Sequence, residues 1–303
     1  MIAKAKGLDK QEVYQIWKNA FANDDGGYTD FYFKTYYKNE DTFVKKIEDE
    51  IVGCVIKHPH TVMLHHRLLR CSMILGMAVK PAFQKCGIMR DMMEVLLDEI
   101  DHQELITMIQ AYDPSLYEPF GFKTVYSRRI WTINRNEVKR IRPAITLTLI
   151  PKDCLQVYGL FVSRFNGYVV RDLYYFECLM KEVESENGKM IAYYNSENQI
   201  EGYATIYLER NQLIIRECIY LNSTALNHLV NYALSLMPQI QLECSSAENL
   251  GRIFKQSNYK EMDYTMVRLN NPELFNRLYN CEVKEITEAM NLDDRPLYMH
   301  ENR

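Results

Sequence analysis

One stretch constrains this chain more than any other: Gly76-Met77-Ala78-Val79-Lys80-Pro81-Ala82-Phe83-Gln84-Lys85-Cys86-Gly87-Ile88-Met89-Arg90. It reads as strand, loop and helix. The β-rich run Met73 to Val79 is stopped by Pro81, and the loop Gln84 to Gly87 opens onto an amphipathic helix with Ile88, Met92, Val95, Leu96 and Ile100 on one side. The first amides of such a helix lack intrahelical partners and, with the positive end of the helix dipole, favour an anion such as a diphosphate. Gly87 lets the backbone approach it closely. Neither G-x-x-x-x-G-K-[ST] nor G-x-G-x-x-G occurs, so nucleoside triphosphate and Rossmann readings lose support. An ordinary strand-to-helix loop is the structural alternative.

The elements around this stretch follow the order α, β, β, β, α, β. Val13, Ile16, Trp17, Ala20 and Phe21 recur at helical spacing after Asp9 and Glu12, and Asn23 to Gly27 breaks that helix. A hairpin is expected from Thr42–Ile47 and Ile51–Ile56. A strand at Leu105–Ile109 follows the helix, and then a short helix at Ser115–Phe120 closed by Gly121, with strands at Phe122–Tyr126 and Arg128–Ile133. His58, His60, His65 and His66 fall around Pro59 in an expected strand-to-strand loop. Adjacent histidines in extended chain face opposite sides and no Cys or carboxylate completes a ligand set, so no metal is expected.

With 303 residues, two domains are the prior. No run approaches the roughly 20 apolar residues of a membrane span, and the first residues lack the shape of a signal peptide, so a cytoplasmic protein without a membrane partner is expected. Eight scattered cysteines without C-x-x-C read as reduced thiols. A net charge of −4 with dispersed Lys and Arg offers no field for nucleic acid.

The pattern V-x-P-x-x-Q-x-x-G-[IL] formed by Val79, Pro81, Gln84, Gly87 and Ile88 resembles the acyl-CoA loop of GNAT N-acetyltransferases. The run Tyr117-Glu118-Pro119-Phe120-Gly121-Phe122 resembles that family's Y-x-x-F-G-F/Y helix. The resemblance implies acetyl-CoA as co-substrate, with no metal. It places Met77, Ala78, Val79, Gln84, Lys85, Cys86, Gly87, Ile88 and Met89 on the CoA-contact positions, with the pantetheine arm in a sheet split between Met77–Val79 and Leu105–Ile109. It makes Tyr117 the acid that protonates the departing thiolate; a packing aromatic is the alternative. Asp24, Asp25 and Asp30 lie in the segment that often lines the family's acceptor pocket, where they could hold a cationic amine or form a solvated acidic loop. Cys86, at a helix start, is either a reactive thiol or a small loop residue.

The second half repeats the order without the loop. After the basic junction at Lys139 to Pro143 come a β run at Ala144–Ile150, helices at Asp153–Phe165 and Arg171–Glu186, strands at 189–194, 200–208 and 213–220, a helix at Ser223–Leu236, and strands at 239–244 and 261–269. After Tyr220 only Leu221-Asn222-Ser223-Thr224 appears, an ordinary N-cap. The expected architecture is therefore α/β, with two tandem GNAT-like domains, each a mixed and mostly antiparallel sheet flanked by helices. The boundaries are 1–143 (catalytic), 144–270 (degenerate, binding no CoA) and 271–303 (tail). The tandem resembles the Eis-type aminoglycoside acetyltransferases, in which a sterol-carrier-like third domain brings a C-terminal carboxylate to the active site. Asn270 to Arg303 is too short for that domain, so the resemblance does not carry that role over to Arg303. The expected function is acetyl transfer from acetyl-CoA to a primary amine, on a small molecule such as an aminoglycoside or on a peptide or lysine, by a protein that could be a homo-oligomer. A non-catalytic acyl-CoA-binding sensor is the alternative.

Overall fold

Residues 50–64 and 67–79 form a long antiparallel hairpin whose middle is buried, and the first half of the chain is organised around it. The computed structural model describes residues 1–22 and 26–301. These divide into two compact units, Met1–Val125 with Thr265–Leu292 and Tyr126–Tyr264 with Asp293–Arg303.

The first unit holds β1 (Ile2–Lys4), α1 (Lys10–Ala20), α2 (Tyr28–Thr35), β2 (Thr42–Ile47), β3 (Glu50–Leu64), β4 (Arg67–Val79), α3 (Ile88–Asp101), β5 (Ile106–Ile109) and the start of β6 (Lys123–Asn134). Its sheet order is β1-β2-β3-β4-β5, closed by the end of β12 (Asn258–Leu269). All neighbours are antiparallel except β4 and β5. Lys57 reaches Glu99 of α3 while the next residue, His58, meets Tyr32 of α2, so α3 and α2 cover opposite faces. On the α3 side, Ile88, Met92, Met93, Leu96, Leu97 and Ile100 join Val55, Ile74 and Ile109 in one core. Val95, expected on that face, is exposed.

The expected histidine loop does not exist. Residues 58–60 lie inside β3, with His58 opposite Met73 and Pro59 opposite Ser72. Only His65 and His66 turn the chain, as a two-residue hairpin with both φ positive, 44° and 64°. Pro59 sits beyond Ile56, where the register with β2 ends.

The second unit holds the rest of β6, α4 (Pro151–Val162), β7 (Tyr168–Val169), α5 (Leu173–Ser185), β8 (Lys189–Tyr194), β9 (Ile200–Glu209), β10 (Gln212–Tyr220), α6 (Ser223–Leu236), β11 (Gln239–Ser245) and the first part of β12. Its order β8-β9-β10-β11-β6 again has one parallel pair, β10 and β11. Each unit is thus a mixed, mostly antiparallel sheet with flanking helices. The run 144–150, expected as a strand, makes only the single bridge Thr146 to Ala192 and ends at Ile150, the N-cap of α4. Lys123–Asn134 form one strand where two were expected.

The compact units also differ from the expected boundaries at 143 and 270. The chain leaves the first unit after Val125 and returns to it at Thr265, where Met266–Leu269 pair with Ile109–Ile106. The stretch expected as a tail is folded: α7 (Pro272–Tyr279) and α8 (Ile286–Met290) bury Phe275, Ile286, Ala289 and Met290 in the first unit.

One glycine sets the geometry of β4. Cys54 pairs with Ala78 but Ile56 with Leu75, so Val55 faces two residues, Gly76 and Met77, across a β-bulge. Gly76 has φ +59°, and a Cβ there would lie 2.6 Å from the Trp17 ring. Gly76→Ala is expected to lower the unfolding free energy by about 2–4 kcal/mol, from the left-handed penalty and overpacking together. A denaturant midpoint equal to the parent's would show that Trp17 yields instead.

Candidate active site

The bulge bends β4 away from its parallel neighbour. Ser72, Met73 and Ile74 pair with Thr107, Met108 and Ile109, and the pairing stops there. The split therefore lies between Met77–Val79 and the chain from Gln110 onward. The expected partner 105–109 is wrong for its last three residues, which remain in the sheet. Met77 and Val79 alternate onto the α3 side and pack with Met89, Phe83 and Phe120 against the core containing Tyr117. Ala78 is buried opposite Cys54 and belongs to the other face, so only its backbone can meet a ligand in the split.

Beyond β4 the chain is tied down before it is opened. Lys80 donates its backbone N–H to Val52 and its Nζ to Glu12 (2.7 Å) and Glu50 (2.8 Å). After the 3-10 turn Pro81–Phe83, Gln84 donates Nε2 to the Val79 carbonyl at 3.1 Å, which clamps the loop to the strand end. Lys85 and Gly87 both have positive φ, 62° and 80°. This conformation, rather than a steric neighbour, calls for glycine at 87, since no atom lies within 4 Å of a Cβ built there. The first intrahelical bond of α3 runs from Asp91 to Gly87, so the amides of Ile88, Met89 and Arg90 have no turn behind them to donate to. With glycine as N-cap, no side chain caps them either. The arrangement suits an anion in the open space before Gly87.

Tyr117 joins two 3-10 turns, Pro114–Leu116 and Glu118–Phe120, where one short helix was expected. Pro119 lacks the N–H that would continue an α-helix, and Gly121 at φ +87° ends the second turn. Asp113 fixes the entry, accepting from the Ser115 amide (3.1 Å) and hydroxyl (2.6 Å). Tyr117 is 9% exposed, packs edge-on to Phe122, and its hydroxyl has no hydrogen-bond partner among the described residues. Burial pushes its pKa up to about 12, which keeps the phenol protonated at neutral pH.

Two family models match the sequence, both described as an acetyltransferase (GNAT) domain, over residues 2–125 and 167–269. The chain belongs to the GNAT acetyltransferases. Among solved structures, a conserved protein of unknown function and probable N-acyltransferase from Enterococcus faecalis V583 is similar in fold, with TM-score 0.75 and 19% identity over 89% of this chain and 72% of that one. A GCN5-related N-acetyltransferase from Anabaena variabilis ATCC 29413 gives 0.74 and 17% over 89% and 73%. Eis1 from Mycobacterium abscessus gives 0.70 and 15% over 91% and 75%. No curated protein matches the sequence significantly.

GNAT acetyltransferases act on an amine acceptor, with acetyl-CoA their general donor. Of the expected acceptor residues, Asp24 and Asp25 lie outside the described residues. Asp30 is on the surface of α2, where Tyr14 (2.5 Å) and Lys18 (2.9 Å) donate to its carboxylate and hold its pKa below the usual range. Lys18 thus already supplies the cation an amine would bring. Cys86 is exposed, its thiol donating to the Gln84 carbonyl at 3.4 Å, and all eight cysteines are free. His58 Nδ1 lies 3.1 Å from the Tyr32 hydroxyl and His65 Nε2 is 2.7 Å from the Ala289 carbonyl oxygen. Among the described residues, no group of three or more His, Cys, Asp or Glu side chains is arranged to hold a metal. No described helix is long and apolar enough to cross a membrane.

The second GNAT unit has the corresponding strands but a different helix entrance. Ile215 is the last β10 residue paired with β11, and Arg216 follows as a bulge. Asn222 then accepts the Ala225 amide at 2.9 Å, so a side chain takes a donor that Gly87 leaves open in the first unit. Residues 298–301 also pack here. His300 Nε2 lies 2.8 Å from the Arg216 carbonyl oxygen, Tyr298 packs edge-on to Phe161 and tilted against Phe165, and Glu301 meets Arg171.

Sequence reasoning missed two residues that shape the candidate site. Gly76 had a signal, an isolated glycine inside a strand pattern, which marks a bulge. Arg268 had none: it donates Nε to the Phe120 carbonyl at 2.9 Å from a strand far along the chain.

Proposed function

We propose that the first unit is an acetyl-CoA-dependent N-acetyltransferase that acetylates a primary amine by direct attack in a ternary complex. The observation that carries this reading is the convergence of Met77, Val79 and Met89 with Tyr117 on one core, beside a helix start whose amides lack a cap. The amides of Ile88 to Arg90 would take the diphosphate, with Gln84 holding the loop against β4. The split past Ile74 and Ile109 would receive the pantetheine arm, lined by Met77 and Val79. Acetyl-CoA supplies an activated acyl group and a thiolate leaving group. Tyr117, protonated because it is buried, gives its proton to the sulfur as the thiolate departs. The acceptor is a small-molecule amine such as an aminoglycoside, or a peptide or lysine amine, in the cytoplasm. The second unit, with its helix entrance capped by Asn222, takes no acyl-CoA and supports the first.

Calorimetric titration with acetyl-CoA tests the donor site. One site per chain is expected, weakened at least 100-fold by Gly87→Asp. Aspartate tolerates the left-handed backbone better than most residues, so the loss reports charge and bulk in the cradle rather than strain. Equal affinity in the two proteins would move the diphosphate elsewhere.

A further inference from the structure

We infer that Arg268 is a positioning residue for Tyr117, an inference that rests on the acetyltransferase reading above. Tyr117 is carried by an exposed pair of turns containing two prolines, whose backbone hydrogen bonds close on the turns themselves. Their last carbonyl, that of Phe120, accepts from Arg268 Nε at 2.9 Å. The same guanidinium pairs with Asp101, the last residue of α3, through both of its terminal nitrogens. Gly121 lies directly against it, since a Cβ there would be 3.7 Å from Nε.

One planar cation therefore links the two halves of the donor site. It holds the turn that bears the acid and the far end of the helix whose start forms the cradle. Its own position is set by the sheet, because Arg268 pairs with Thr107 of β5, and by Asn270, which accepts from Nη1 at 2.9 Å and donates to the Thr107 hydroxyl at 2.9 Å. Three directed donors in fixed relation are what a guanidinium offers and an ammonium does not. Arg268 also lies within the second of the two family matches, so that part of the sequence completes the site of the first unit.

The test measures release of free CoA thiol from acetyl-CoA, with spermidine, kanamycin and a lysine-containing peptide as acceptors. Arg268→Ala is expected to lower kcat by roughly 10- to 100-fold, since small misplacement of a reacting group costs that much. KM for acetyl-CoA should stay within about threefold, because the cradle amides belong to α3 itself. The double variant Arg268→Ala/Tyr117→Phe should be no slower than Tyr117→Phe, because positioning has no value once the proton donor is gone. If Arg268→Ala does not fold, Arg268→Lys carries the test: it keeps a charge beside Asp101 but lacks the Nε–H for Phe120, and the same losses are expected. An unchanged kcat, or losses that multiply in the double variant, would overturn the inference alone. Wild-type protein that binds acetyl-CoA yet transfers to none of the acceptors would take the functional reading down with it.

Discussion

Arg171→Ala is expected to destabilise the second unit by about 3–5 kcal/mol, the cost of removing one partner from a buried ion pair. The side chain is 1% exposed. It binds Glu217 bidentately at 3.0 and 2.7 Å, and Glu301 through Nε at 3.1 Å and Nη2 at 2.8 Å. The rings of Tyr158 and Tyr175 lie 4.2 and 4.5 Å from its guanidinium carbon. Alanine would leave two carboxylates buried without a cation, and desolvation that the arginine now offsets would fall on the fold. A typical domain has only about 5–15 kcal/mol to lose, so the variant should show a large fall in urea midpoint by circular dichroism. Arg171→Met combined with Glu217→Gln and Glu301→Gln should recover part of the loss, since charge and cation are removed together. A single variant within about 1 kcal/mol of the parent, within the range of an exposed pair, would mean that water reaches the cluster.

Tyr117→Phe is expected to reduce kcat by roughly 10²–10³-fold, within the range for loss of a general acid, while acetyl-CoA affinity stays within about twofold. The ring packs in the core and the hydroxyl binds no described residue, so phenylalanine preserves the fold and removes only the proton. The pH profile supplies a sign. An acid must be protonated to act, and with its pKa pushed up to about 12 the phenol stays so throughout the ordinary range. The wild-type rate should therefore rise with pH as the amine acceptor loses its proton and show no decline below about pH 10, the ordinary tyrosine value. An early alkaline decline would place the acid on another group. A kcat unchanged in Tyr117→Phe would likewise place the acid on another group, whereas the sensor reading requires that acetyl-CoA is bound but turned over by neither protein.

Most helices and strands of the two halves were legible because their signals are local. Helical spacing from Ile88 to Ile100, the N-cap at Asn222 and the left-handed closure at Gly121 each depend on a few adjacent residues. The histidines were misread because turn chemistry near Pro59 looks like a loop, whereas strand pairing with residues 67–79 overrides it. Val95 has the right period for the core, but the apolar stripe of α3 runs through Met93 and Leu97 instead.

The candidate donor site divides along the same line. The sequence by itself determined the strand, loop and helix of residues 73–101, the uncapped start at Gly87 and the closure at Gly121, because backbone preference and helix-end chemistry act over neighbouring residues. Only the tertiary structure decided where the sheet splits, that Gly76 must clear Trp17, and that Arg268 braces Phe120 from 148 residues away. Those contacts exist only once distant segments pair and pack, and no periodicity in the chain records which partner a strand will find.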